Sequence, residues 1–226
     1  MNQCEQIQDC LDEQFNALFQ QTLRLGEMVD RIFSIAISAL ENGDAGMVNR
    51  EDKSVERCRL METEIHDMCS HVMSREHLAD SSLRILMGVM KITSELRRAG
   101  DEAEIIVHLI HQVAEQNNAL MLPRFSYMEI RLAAVSARDL LRKSLDSFLR
   151  LNLNAAIQLT CQDNETTSSV FLVNYLTENP RSIPAMLEVC FVAGAIERIF
   201  IHARKMSRHV VHMLADLPAE KLACQT

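Results

Sequence analysis

From Phe15 onward, apolar residues return as Leu18, Leu25, Val29, Ile32, Ala36 and Ala39, spaced three, four or seven positions apart. That spacing stacks them on one face and predicts a long amphipathic helix. The stretch ENGDAG, residues 41–46, interrupts it with Asn, Gly and Asp, which favour a turn, and Asp44 is placed to cap the next helix. Val48, Val55, Cys58, Ile65, Cys69 and Val72 predict that second helix. After a break near residues 75–80, Leu83, Leu86, Met90, Thr93, Leu96, Gly100, Ala103, Val107 and Ile110 predict a third. Similar patterns cover roughly 126–150, 153–177 and 181–215, with Pro180 and Pro184 near the start of the last, where proline is tolerated.

Between the third and fourth patterns lies EQNNALMLPRF, residues 115–125, in which Asn117, Asn118 and Pro123 interrupt any helix. Three helices, a linker and three helices suggest an internal repeat. Aligning SELRRAGDEA (94–103) with GAIERIFIHA (194–203) sets Leu96 on Ile196, Arg98 on Arg198 and Ala103 on Ala203. The pairs HLIH (108–111) and HVVH (209–212) fall at nearly equivalent places. The expected fold is all-α: two tandem antiparallel three-helix bundles, residues 1–116 and 126–226, joined by a linker at 117–125. At 1.5 Å per residue, six long helices of about 30 residues make a body about 45 Å long.

Composition agrees. Thirteen Met stand against eight Phe, two Tyr and no Trp, and four prolines with six glycines supply too few turns for a many-stranded sandwich. The methionines, among them Met61, Met68, Met87, Met90, Met186, Met206 and Met213, sit mostly at helical spacing and read as core filler. A net charge of −8 argues against a general nucleic-acid binder, which needs basic faces. No apolar run is long enough to cross a bilayer, and the polar, acidic start MNQCEQIQDC is unlike a signal peptide, so a cytoplasmic protein is expected. Seven cysteines form no CxxC pair and read as reduced thiols, several of them small core residues.

The segment LRILMGVMKITSELRRAGDEAEII (83–106) resembles the third-helix signature of PhoU-type phosphate-uptake regulators, which runs DLR, an apolar stretch, LKI and DLERIGD. LTENPRSIPAMLEVCFVAGAIERIFIHA (176–203) is similar to that family's second repeat, where a DPRN-like turn leads into ALERIGDHA, and ALENGD (39–44) resembles its first turn. The resemblance spans nearly the whole chain. It implies the two-bundle fold, a cytoplasmic homodimer, and negative regulation of phosphate-starvation signalling through contact with a phosphate transporter component and a sensor kinase. It also implies that metal clusters are held by acidic pairs four residues apart, which share one helical face.

This chain departs from those pairs. In the first repeat the Glu of ERIGD is Arg97 while Asp101 stays; in the second Glu197 stays while Gly and Asp become Phe200 and Ile201. On the second helices, the family's first acid aligns with Val55 and Asp163, and their partners with Arg59 and Thr167. Asp52 and Glu56 form an acidic pair, but the apolar phase puts them one turn early, which leaves their register open. Asp101 with Arg97 reads as a solvated ion pair along one helix; a second reading makes Arg97 a fixed cation in the place of a metal. Gly100, on the apolar stripe, reads as a point of close helix approach.

Two further candidate sets remain. Glu104, His108 and His111, and likewise His202, His209 and His212, lie at helical spacings that could ligate a transition metal, though histidines at helix surfaces or last turns explain them more simply. Arg204, Lys205 and Arg208 offer a basic face to an acidic partner or phosphate oxygens, with a merely solvated face as the simpler account. No phosphate loop, nucleophile elbow or Ser, His and Asp grouping is present, so nothing requires an enzyme and no cofactor is expected. The expected function is a non-enzymatic, PhoU-like adaptor of phosphate uptake. The alternatives are a carboxylate and histidine bundle binding a divalent or iron-type metal, and a cytosolic regulator of another ion or sodium-phosphate cotransporter.

Overall fold

The computed structural model describes residues 3–42, 52–74, 78–115, 124–161 and 183–215. Within them lie six helices and no strand: α1 (Gln3–Asn42), α2 (Asp52–Met73), α3 (Asp80–Glu115), α4 (Arg124–Leu149), α5 (Leu153–Thr160) and α6 (Ile183–Leu214). The ENGDAG turn from Gly43 on, most of the linker 117–125 and residues 162–177 of the fifth predicted helix lie outside the described residues.

The apolar periodicity explains what is buried. Leu18, Leu25, Val29, Ile32, Ala36 and Ala39 of α1 all face inward, as do Val55, Cys58, Ile65, Cys69 and Val72 of α2. Full burial of a Leu, Ile or Phe side chain stabilises by about 1.5–3 kcal/mol relative to exposure, so these stripes set which way each helix turns. Leu83 departs from the pattern; it lies in the first turn of α3 and is exposed. Among the methionines, Met61, Met206 and Met213 are core residues, but Met87 is exposed. Cys58 and Cys69 are free and buried, and burial pushes the Cys69 thiol up to about 11. Cys161 is free but exposed.

Helices α1, α2 and α3 pack on one another, as do α4, α5 and α6, and the two groups share one hydrophobic core. Two antiparallel seams join the groups. Along the first, Phe19 of α1 meets Phe148 of α4 with ring centroids 4.9 Å apart, Gly26 lies under Leu145, and Asp30 reaches Arg138 and Arg142. Along the second, Gly88 of α3 lies under Met213 of α6, Glu95 meets His202, and Glu102 meets Arg198. The turn from α4 to α5 passes through Leu151 at φ 48°, a left-handed conformation costly for a residue with a Cβ. Asn152 then caps α5 by accepting from the Ala155 N–H at 3.0 Å.

The glycines correct one expectation. Gly100 is buried, yet a methyl group there would meet only Val29 Cγ2 at 3.4 Å, an ordinary contact. Close approach is required instead at Gly88, where an added Cβ would lie 2.7 Å from Met213 Sδ and 3.2 Å from its Cβ, and at Gly26, 2.3 Å from Leu145 Cδ2. The Met213 Cβ cannot retreat without moving α6. Gly88→Ala should therefore lower stability by about 1–3 kcal/mol in urea unfolding, through overpacking. Gly100→Ala should leave it unchanged or raise it by up to about 1 kcal/mol, through helix propensity.

Candidate functional site

The seam between α2 and α3 carries the family-like acid, Asp101, and its surroundings differ from a lone pair on a solvated face. The helices run antiparallel, so Arg59 of α2 falls beside Asp101 and Glu104, Glu62 beside Arg97, and His66 beside Met90 and Thr93. Arg97 donates to Asp101 one turn on and, across the seam, its Nε lies 2.8 Å from Glu62. Arg59 donates to the other Asp101 oxygen at 3.1 Å, to Glu104 at 3.0 Å and to Glu56 at 3.2 Å. Both oxygens of Asp101 thus accept from guanidiniums. Burial lowers the Arg59 pKa, but the hydrogen bond to Glu56 and the Asp101 charge outweigh it and hold the group above its ordinary value. Arg97, Glu62 and Asp101 are partly buried, whereas Arg59 and Glu56 are exposed. Farther along the seam, His66 Nε2 lies 3.1 Å from both the Met90 carbonyl and the Thr93 hydroxyl.

A second cluster bridges the two halves. Glu95 of α3 is buried, with His202 Nδ1 of α6 2.6 Å from one oxygen; a carboxylate only accepts, so Nδ1 carries the hydrogen. His209 Nε2 stands 3.9 Å from the other oxygen, beyond a direct hydrogen bond, and Arg98 lies at 3.8 Å. Burial pushes the Glu95 carboxyl up, but the histidines and the nearby Lys205 charge outweigh it and hold the group at about 2. Asp30 is governed the same way: burial raises it, and the paired guanidiniums of Arg138 and Arg142 bring it below the usual carboxylate range.

Over 219 residues the chain is 30% identical to the phosphate-specific transport system accessory protein PhoU homolog of Pseudomonas putida, covering 93% of this chain and 84% of that one. The PhoU domain matches residues 22–110, which hold the α2–α3 seam. The chain belongs to the PhoU family. The phosphate-specific transport system accessory protein PhoU of Escherichia coli (strain K12) is 28% identical over 196 residues, 82% of this chain and 79% of that one. Among solved structures, PhoU from Pseudomonas aeruginosa aligns with a TM-score of 0.81 at 24% identity, over 91% of this chain and 99% of that chain. The phosphate transport system regulatory protein PhoU from Streptococcus pneumoniae gives 0.77 at 21%, over 92% and 100%. At those identities the structural likeness speaks to the fold.

Against the PhoU pattern of acidic pairs, the first repeat does not fit a metal cluster. Val55, where the first acid of helix two would stand, is buried in the core, and Arg59 and Arg97 project their charge onto the carboxylates that remain. Among the described residues, no three His, Cys, Asp or Glu side chains converge to hold an ion. Glu104 is bound to Arg59; His108 is exposed, and the His111 side chain lies outside the described residues. In the second set His202 and His209 turn inward to Glu95 while His212 is exposed, so the three do not converge. In the second repeat Glu197 is half-buried and Phe200 fills a core position, while Asp163 and Thr167 lie outside the described residues. The basic face divides as well: Lys205 acts on Glu95, Arg204 is half-buried, and Arg208 is exposed.

Sequence reasoning passed over Glu95. Its signal was present: Ile92, Glu95 and Ala99 follow one another at helical spacing on a buried stripe, and a charge there needs a partner. Glu62 and the Asp30 clamp carried no comparable mark.

The two clusters respond differently to substitution and to pH. Arg97→Ala leaves Glu62 and Asp101 with less compensation in a partly buried place and should cost about 1–3 kcal/mol in urea unfolding. Arg57→Ala breaks the exposed Arg57–Glu64 pair and should cost less than about 1 kcal/mol. For Glu95 the folded pKa lies below its unfolded value, so its stabilisation is complete above about 4.5 and is lost as pH falls toward about 2. Urea titrations across that window should show a steeper stability loss for the wild type than for Glu95→Gln, which should already be weaker at pH 7.

Proposed function

We propose that this chain is a non-enzymatic regulator of phosphate uptake, acting by binding a phosphate transporter component. The observation that carries this reading is the 30% identity, over 93% of the chain, to a relative named as a phosphate-specific transport system accessory protein. The architecture suits an adaptor. Long helices locked by the Asp30 and Glu95 clamps present rigid faces, and a rigid body can bias a partner between states by binding one of them better.

In this reading the chain acts from the cytoplasm as a homodimer, and it also engages a sensor kinase to repress phosphate-starvation signalling. Three observations support that extension. No helix among the described residues is long and apolar enough to cross a membrane. Met128, Leu132 and Val135 form an exposed apolar stripe on one face of α4, of the kind an interface covers. On the basic face of α6, Arg208 is exposed and presents a positive charge to an acidic partner.

The test is genetic and biochemical together. Deleting the gene should switch on phosphate-starvation promoters in phosphate-replete medium, and the wild-type chain supplied in trans should silence them. Affinity-tagged chain should retain the phosphate transporter from detergent-solubilised membranes. Unchanged reporter output in the deletion strain would sink the reading.

A further inference from the structure

We propose that the first repeat closes its α2–α3 seam without metal, the guanidiniums of Arg59 and Arg97 supplying the positive charge that a shared ion would otherwise provide. The inference rests on membership of the PhoU family, whose pattern places acids where this chain has Val55, Arg59 and Arg97. It concerns the chain's own cohesion rather than its regulatory output, so the two can fail separately.

Donor chemistry separates the two ways of closing the seam. A hard cation needs about six oxygen ligands, several of them carboxylate, with their lone pairs free to converge. At this seam each carboxylate is already engaged by a guanidinium. Asp101 accepts from Arg97 on one oxygen and from Arg59 on the other, at 3.1 Å; Glu62 lies 2.8 Å from Arg97 and Glu104 3.0 Å from Arg59. Each guanidinium also spans the seam, Arg59 from α2 to α3 and Arg97 from α3 to α2, so together they cross-link the helices as a bridging ion does. The planar fork suits this role, because it carries five donors and a charge that no physiological pH removes. At the position on α2 that aligns with the family's first acid stands an apolar, buried Val55, and the α2 carboxylates that do reach the seam, Glu56 and Glu62, are each engaged by a guanidinium. Carboxylates outnumber guanidiniums here, and the surplus negative charge lies at the network's exposed Glu56 end.

The consequence is a seam whose closure does not follow metal supply. In a protein that used an ion here, loss of that ion would loosen α2 from α3. In this chain the corresponding charges are covalently part of the helices.

Thermal unfolding of the full-length protein, followed by circular dichroism in EDTA and in 1 mM Mn²⁺, tests the proposal alongside elemental analysis. The wild type should unfold at the same temperature in both, and Asp101→Asn should lower that temperature equally in both. The double variant Arg59→Gln/Arg97→Gln frees the carboxylates without adding charge. It should be destabilised in EDTA and recover by about 5 °C or more in Mn²⁺, the size expected for a ligand well above its dissociation constant. Arg59→Asp/Arg97→Glu should go further and bind Mn²⁺ stoichiometrically. Metal bound by the wild type and kept by Asp101→Asn resides elsewhere and agrees with the proposal. A Mn²⁺-dependent rise in the wild type that Asp101→Asn abolishes would overturn it, as would a folded Gln double variant indifferent to Mn²⁺.

Discussion

Helix α3 is packed by α1, α2 and α6 at once, and it nevertheless carries Glu95, Arg97, Arg98, Asp101, Glu102 and Glu104 within ten residues. A charge withdrawn from water costs several kcal/mol unless another charge or strong hydrogen bond meets it. That constraint organises the molecule. Glu95 and Glu102 are met from α6 by His202 and Arg198, while Arg97 and Asp101 are met from α2 by Glu62 and Arg59. Shifting α3 by one residue against either neighbour would leave several charges unmatched, so the charges specify the register that apolar packing alone would leave looser.

The apolar core supplies the driving force and the ion pairs supply the specificity. Buried Leu, Ile and Val tolerate exchange among themselves as long as volume is kept. The pairs do not. Close contact adds a second restraint: Gly26 under Leu145 and Gly88 under Met213 bring α1 to α4 and α3 to α6 near enough for the Asp30 and Glu95 clamps to form. The two groups of helices therefore behave as one packed body, a suitable form for an adaptor that must present fixed surfaces.

The seam between α2 and α3 joins the residues that carry the family resemblance into one ion-pair network. Exchanging a carboxylate for Arg at position 97 reverses the charge there, and the guanidinium reaches Glu62, which a carboxylate would repel. Arg59 on the facing helix holds Asp101 from the other side.

The sequence by itself determined the all-helical class, most of the inward faces and the family, because each rests on local periodicity or on residues adjacent in the chain. Leu18 through Ala39 and Val55 through Val72 were legible as buried stripes for that reason. Arg97 and Asp101 were legible as an ion pair one turn apart on a helix. Their partners were not, since Arg59 is 42 positions from Asp101 and Glu95 is 107 from His202, distances at which spacing carries no information. Nor could the chain announce that Gly88, rather than Gly100, lies at a tight crossing, because the crowding atoms belong to α6. Only tertiary packing decided which charges meet and which histidines turn inward, because those depend on the register of antiparallel helices brought together from distant parts of the chain.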